Sequence, residues 1–163
     1  MKSSRKAKRY DDSILPGEFQ DFEAFHQADE ELEGLLSGSI RRQEGGVQVG
    51  HLVVERPIPR KQSFAKLRLK AERLTHQVTY LNERLEIVDH DRRGMYIQIR
   101  SLPPYKDDHQ IQYNEISIGR DKVMVKRVAF YRKDEVKRQV PLEMTEEELA
   151  RLLVDLKGIL TQA

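Results

Sequence analysis

The sequence predicts an α+β fold: an antiparallel β-meander of about four to five strands packed against two helices, with a flexible charged N-terminal segment. Three observations lead there. From residue 85 onward, stretches of alternating apolar and polar residues are separated by short turn signals. Two other stretches, 63–83 and 144–161, place apolar residues at steps of three and four. The first 45 residues segregate charge instead of alternating hydropathy.

The N-terminal segment comes first. Residues 1–10 carry five basic and no acidic groups, and residues 11–40 carry nine acidic and no basic ones. Blocks of one sign repel themselves and seek the opposite sign. Residues 1–16 read as disordered. Within "GEFQDFEAFHQADEELEGLL", seven carboxylates surround Phe19, Phe22 and Phe25. Together with Leu32, Leu35 and Leu36 these rings fall on one side of a helix over about 18–37, ended by "SGS". The expectation is an acidic amphipathic helix in a flexible segment, 1–45, ahead of a single domain, 46–163. Exposed aromatic rings are an aggregation liability, so this helix is expected to dock on something. The expected target is a basic, apolar groove on a partner protein or the chain's own basic 56–73 run. Phe19, Phe22, Phe25 and Leu32 are the expected anchors.

A strand is expected near 46–55, where Val47, Val49 and Val53 stand among polar or small residues. Pro57 and Pro59 then impose an extended linker. In 63–83, Phe64, Leu67, Ala71, Leu74, Val78 and Leu81 form a helical seam that Leu85 continues, and Ser63 suits the N-cap. The favoured reading docks this helix on the sheet. The alternative is a homodimer through a 64–85 coiled coil.

"RLEIV", "MYIQIR", "IQYNEISI", "KVMVKRVAFY" and "KRQVPL" follow as strands, and their short connections require antiparallel neighbours. The last helix opens with Thr145 and Glu148, the spacing of a capping box, and runs a stripe of Leu149, Leu152, Leu153, Leu156, Ile159 and Leu160.

No nucleophile elbow, phosphate loop or metal-binding motif is present in the 163 residues, and there is no cysteine. Asp89-His90-Asp91 reads as a turn rich in local hydrogen bonds rather than a metal site. The chain is therefore expected to be a non-enzyme with neither cofactor nor metal. It is also expected to be cytoplasmic: no apolar run approaches the roughly 20 residues of a membrane span, and no apolar stretch follows the basic start. The leading function is an adaptor or assembly protein. The alternative is single-stranded nucleic-acid binding, with Tyr96, Arg100, Lys126 and Arg132 on an open sheet face and Arg60, Lys61, Lys66, Arg68 and Lys70 from the basic run.

Overall fold

The computed structural model describes residues 13–57 and 61–161. Among these residues eleven strands and two helices run in the order β1 (Ile14–Leu15), β2 (Glu23–Asp29), β3 (Gly34–Gln43), β4 (Gly46–Glu55), α1 (Phe64–Gln77), β5 (Leu85–Asp91), β6 (Tyr96–Ser101), β7 (Tyr105–Lys106), β8 (Gln110–Ile118), β9 (Lys122–Tyr131), β10 (Val136–Val140), β11 (Leu142–Met144) and α2 (Glu146–Thr161). This is an α+β architecture, with one main sheet in the order β2-β3-β4-β9-β8-β6-β5. Every neighbouring pair along that path is antiparallel. The parallel pairing of β1 with β10 lies off it.

Register explains the core. Gly38, Leu52, Val125, Ile116, Ile99 and Ile87 are successive cross-strand partners, and so are Leu36, Val54, Val123, Ile118 and Ile97. Directly opposed residues share a face, so these two rows form one apolar surface. Leu67, Ala71 and Leu74 of α1 and Leu149, Leu152, Leu156, Ile159 and Leu160 of α2 close over it. α1 follows β4 yet packs on β5 and β6, whereas α2 follows the β9–β11 strands and packs on β4 and β9.

The strands β4 and β9 pair only through 52–55 and 122–125. Beyond that they diverge, and the gap is filled by β10 on β9 and β11 on β4. Pro141 sits where the segment changes partner, the place for a residue without a ladder N–H. On β4 the same divergence falls at Gly50, which is skipped in the register with β3. A β-bulge of this kind bends the strand.

Both helix starts are built as the sequence indicates. Ser63 Oγ accepts from the Lys66 N–H at 3.1 Å. Thr145 Oγ accepts from the Glu148 N–H at 3.1 Å, while Glu148 Oε1 accepts from the Thr145 N–H at 2.9 Å. The helix expected over 63–83 stops at Gln77, but Val78 and Leu81 remain buried in the following loop. The seam offered as a dimer contact is thus used within the chain: Phe64, Leu67, Ala71, Leu74, Val78, Leu81 and Leu85 all lie in its own core. A partner helix would have to displace the sheet to reach them.

The acidic helix expected over 18–37 is not formed. Residues 23–29 and 34–43 are strands β2 and β3, and β3 pairs with β4 across the expected domain boundary at 45/46. The sheet is consequently wider than the four-to-five-strand meander expected from 85–142. The misreading has a physical source. The alternation Leu36-Gly38-Ile40 is masked because its middle member has no side chain. Gly38 cannot carry one: a Cβ there would overlap the His51 carbonyl oxygen and meet the Phe25 ring at 2.9 Å. "SGS" is a strand in close contact with its neighbours, not a helix stop.

The acidic block does fold back on cations, though only Arg56 among the described residues of the 56–73 run takes part. Arg56 meets Glu33 at 3.2 Å, Arg138 meets Glu18 at 3.8 Å, and Lys157 meets Asp29 at 3.1 Å. Lys70, expected to be a surface cation, is 5% exposed. Its ammonium donates to Gln62 Oε1 at 2.9 Å and to the Ile159 carbonyl at 3.3 Å, tying α1 to the last turn of α2. Lys70→Met keeps the apolar stem and removes these bonds. It is expected to lower stability by about 1.5–3 kcal/mol in urea denaturation.

Candidate functional site

Two surfaces bear on function, one on each side of the sheet. The outer face, away from the helices, has its own register rows. Ser37, Val53, Met124, Ser117 and Gln98 are successive partners, all half-buried. The next row on β5, β6, β8 and β9 is Glu86, Arg100, Glu115 and Lys126. Its signs alternate. Glu115, whose side chain is 3% exposed, meets Arg100 Nε at 3.1 Å and Lys126 Nζ at 3.7 Å.

Arg100 and Lys126 therefore do share the outer face, as the strand parity indicates, but both are paired with the one buried carboxylate between them. Tyr96 also has the expected parity, yet it is only 6% exposed, with its hydroxyl 3.5 Å from Ser117 Oγ. Tyr113 is likewise buried, under the Arg100 guanidinium at 4.8 Å. Neither ring presents a face to a base. Arg132 stands beyond the end of β9, where its Nε donates to the Asp107 carbonyl at 3.1 Å. Arg60 lies outside the described residues. Lys61 and Lys66 are exposed and Arg68 half-exposed, paired with Glu72 at 3.5 Å. Lys66, Arg68 and Lys70 belong to α1, on the opposite side of the sheet from Arg100 and Lys126. The residues expected to form one nucleic-acid surface are divided between two faces, and two of them, Lys70 and Tyr96, are buried.

The expected partner anchors also separate. Leu32 is fully buried, and Phe25 packs against the core. Both are spent inside the chain. Phe19 and Phe22 remain half-buried, their ring centroids 5.0 Å apart. Phe19 rests on Gly50, where a Cβ would meet its ring at 2.9 Å, and the Arg41 guanidinium lies 5.5 Å from the Phe22 centroid. This aromatic pair borders the outer face along β3 and β4.

The second surface is a cleft of about 420 Å³ on the helix side of the sheet, between the α1–β5 loop, the strands β7–β9 and the β10–β11 corner. Arg127 and Glu83 form its floor. The guanidinium donates to both Glu83 oxygens, at 2.9 and 2.8 Å, to Gln112 Oε1 at 2.9 Å and to Asn114 Oδ1 at 2.7 Å. Ser101 Oγ accepts from the Asn114 backbone N–H at 2.8 Å and donates to Glu83 Oε1 at 2.5 Å. Burial pushes the Glu83 carboxyl up, but the Arg127 and Ser101 bonds outweigh it and hold the group below the usual carboxylate range. Tyr105 stands at the mouth, 46% exposed, with its hydroxyl on Asp107 Oδ2 at 2.9 Å.

Sequence reasoning passed over this cleft, though a signal existed. Gln110, Gln112 and Asn114 are three carboxamides at a step of two in β8, on the parity that continues as core-facing Ile116 and Ile118. Amides on the buried face of a strand require partners, and Arg127, the one break in the apolar parity of β9, is that partner. Asp89, His90 and Asp91, expected as a turn, instead end strand β5, opposite Gln98, Ile97 and Tyr96, and the hairpin turn follows them, with Asp91 Oδ1 accepting from the Gly94 N–H. The Asp107 turn does form, its Oδ1 accepting from the N–H groups of His109 and Gln110.

No family model, no curated protein and no solved structure matches the chain. Neither helix is long and apolar enough to cross a membrane.

Proposed function

We propose that this chain is a non-catalytic adaptor or assembly protein whose partner is another protein, docked on the outer face of the sheet. The observation that carries this reading is the electrical closure of that face. Its cations are matched within the row Glu86, Arg100, Glu115 and Lys126, and the adjoining row offers Val53 and Met124 among small polar side chains. Phosphate recognition wants unneutralised cations and accessible rings. A protein interface wants apolar side chains surrounded by polar groups whose bonds are already made. The Phe19–Phe22 pair and Arg41 extend the same surface at β3 and β4, and both residue types are enriched among interface anchors.

A photo-reactive residue placed at Met124, with a control at the 63%-exposed Val154 on α2, tests this. A discrete protein adduct should form from position 124, survive nuclease and be absent from position 154. Val53→Asp should weaken capture by about 30-fold, the loss expected when a charge is forced into an interface centre. Labelled single-stranded oligonucleotides should show no anisotropy change even at low salt. An adduct that vanishes with nuclease, or oligonucleotide binding with a steep salt dependence, would return the outer face to nucleic acid.

A further inference from the structure

The helix-side cleft carries an inference independent of the outer face, because Arg127 fixes, directly or through Gln112, the orientation of the three β8 amides that line it. A guanidinium only donates. The atoms of Gln112 and Asn114 that face it, at 2.9 and 2.7 Å, must therefore be their carbonyl oxygens. Gln112 then has its NH₂ free to donate onward, and it does so to Gln110 Oε1 at 2.8 Å. The Gln110 NH₂ is left as the end of that relay. The Asn114 NH₂ is left likewise: the residue is 3% exposed and lines the cleft, and its carboxamide nitrogen has no hydrogen-bond partner among the described residues. That nitrogen is not enclosed but opens to the cleft, where a ligand acceptor can take the place of water.

The charge in the cleft narrows what that acceptor is. Arg127 is taken up by Glu83 through two bonds, and the exposed Glu143 at the rim adds a negative group. An anion gains nothing there. A neutral group that accepts from NH₂ donors and also donates to a carboxylate fits, and a hydroxyl does both. Tyr105 adds a half-exposed ring at the mouth, held in place by its bond to Asp107. Such a ring takes the C–H face of a flat polyol. The volume, about 420 Å³, falls within the range of small-molecule sites.

We propose that this cleft binds a neutral saccharide, with its hydroxyls on the Asn114 and Gln110 amides and on the Glu143 carboxylate, and one pyranose face against Tyr105. This is a second activity of the chain, separate from partner docking on the other side of the sheet.

Saturation-transfer NMR on the full chain decides it, with glucose, galactose, mannose, N-acetylglucosamine and maltose as probes. At least one should receive saturation and shift the side-chain amide signals of Asn114 and Gln110. Tyr105→Ala should weaken that sugar roughly tenfold, and Gln110→Ala about fivefold. Both residues lie toward the rim, and the backbone amide spectrum verifies the fold of each variant. If a variant is misfolded, the amide shifts of the unaltered chain still decide. The proposal is overturned if none of the five sugars binds at millimolar concentration. It is equally overturned if binding leaves the Asn114 and Gln110 amides unmoved, if folded Tyr105→Ala binds unchanged, or if inorganic phosphate shifts those amides more than any sugar.

Discussion

Replacing Leu152 with alanine should cost about 2–5 kcal/mol of unfolding free energy, the range for truncating a fully enclosed leucine. Leu152 is 0% exposed and faces the sheet from the middle of α2. Its two successors supply the control. Leu153 is only partly buried against the core, and Val154 is 63% exposed. Three consecutive alanine substitutions, read by urea denaturation at constant m-value, should therefore fall in the order 152, 153, 154. The last should stay within about 0.5 kcal/mol of the parent. The gradient tests more than the helix. α2 packs on β4 and β9, the strands that join the N-terminal half of the sheet to the C-terminal half. A small loss at Leu152 would mean that the two halves do not depend on this helix and do not share a single core.

The ease of reading α2 from sequence and the difficulty of reading β2 and β3 have a common explanation. A helix is specified by local spacing: Thr145, Glu148 and the leucine stripe fall within one segment, and each is satisfied there. The strands β8 and β9 are nearly as local, because Ile116, Ile118, Val123 and Val125 alternate cleanly. The strand β3 is specified by what lies across from it. Gly38 is small because of His51 and Phe25, and Gly34 because a Cβ would run into the Glu55 carbonyl. Neither constraint leaves a mark in its own window except the absence of a side chain, which reads as a break. The three phenylalanines misled in the same way. Their step of three suggests a helix, but each answers to a different neighbour: Phe19 to Gly50, Phe22 to Arg41, Phe25 to Gly38. Lys70 looked like one more cation in a basic run because its carbonyl partner, Ile159, lies far along the chain. The carboxamides of β8 were visible as a pattern, but their meaning rests on Arg127 and Glu83, which come from another strand and a loop.

Glu83→Gln should destabilise the chain on the order of 3 kcal/mol at neutral pH, because it leaves the Arg127 charge half-enclosed without its counter-ion. The side chains of the pair are 15% and 17% exposed, which places the loss at the lower end of the range for a buried pair. The pH dependence carries a definite sign. The folded-state pKa of Glu83 lies below its ordinary value. Its contribution is therefore fully present above the unfolded carboxylate pKa of about 4.3 and is lost as pH falls through the lower folded value. The stability gap between parent and Glu83→Gln should be constant from neutral pH down to about 4.3 and should close between there and the lower folded value. A gap that persists in acid would mean that the Gln side chain, and not the missing charge, is responsible. A double substitution, Glu83→Met with Arg127→Met, separates stability from orientation. Removing both partners of such a pair often costs little, so the double variant should recover much of the loss. It also frees the Gln112 and Asn114 amides from the one donor that fixes which end faces the cleft. If the pair exists to align those amides, the double variant should be stable yet show the Asn114 and Gln110 side-chain NH₂ signals moved from their parent positions. If it exists only to close the core, those signals should stay where they are.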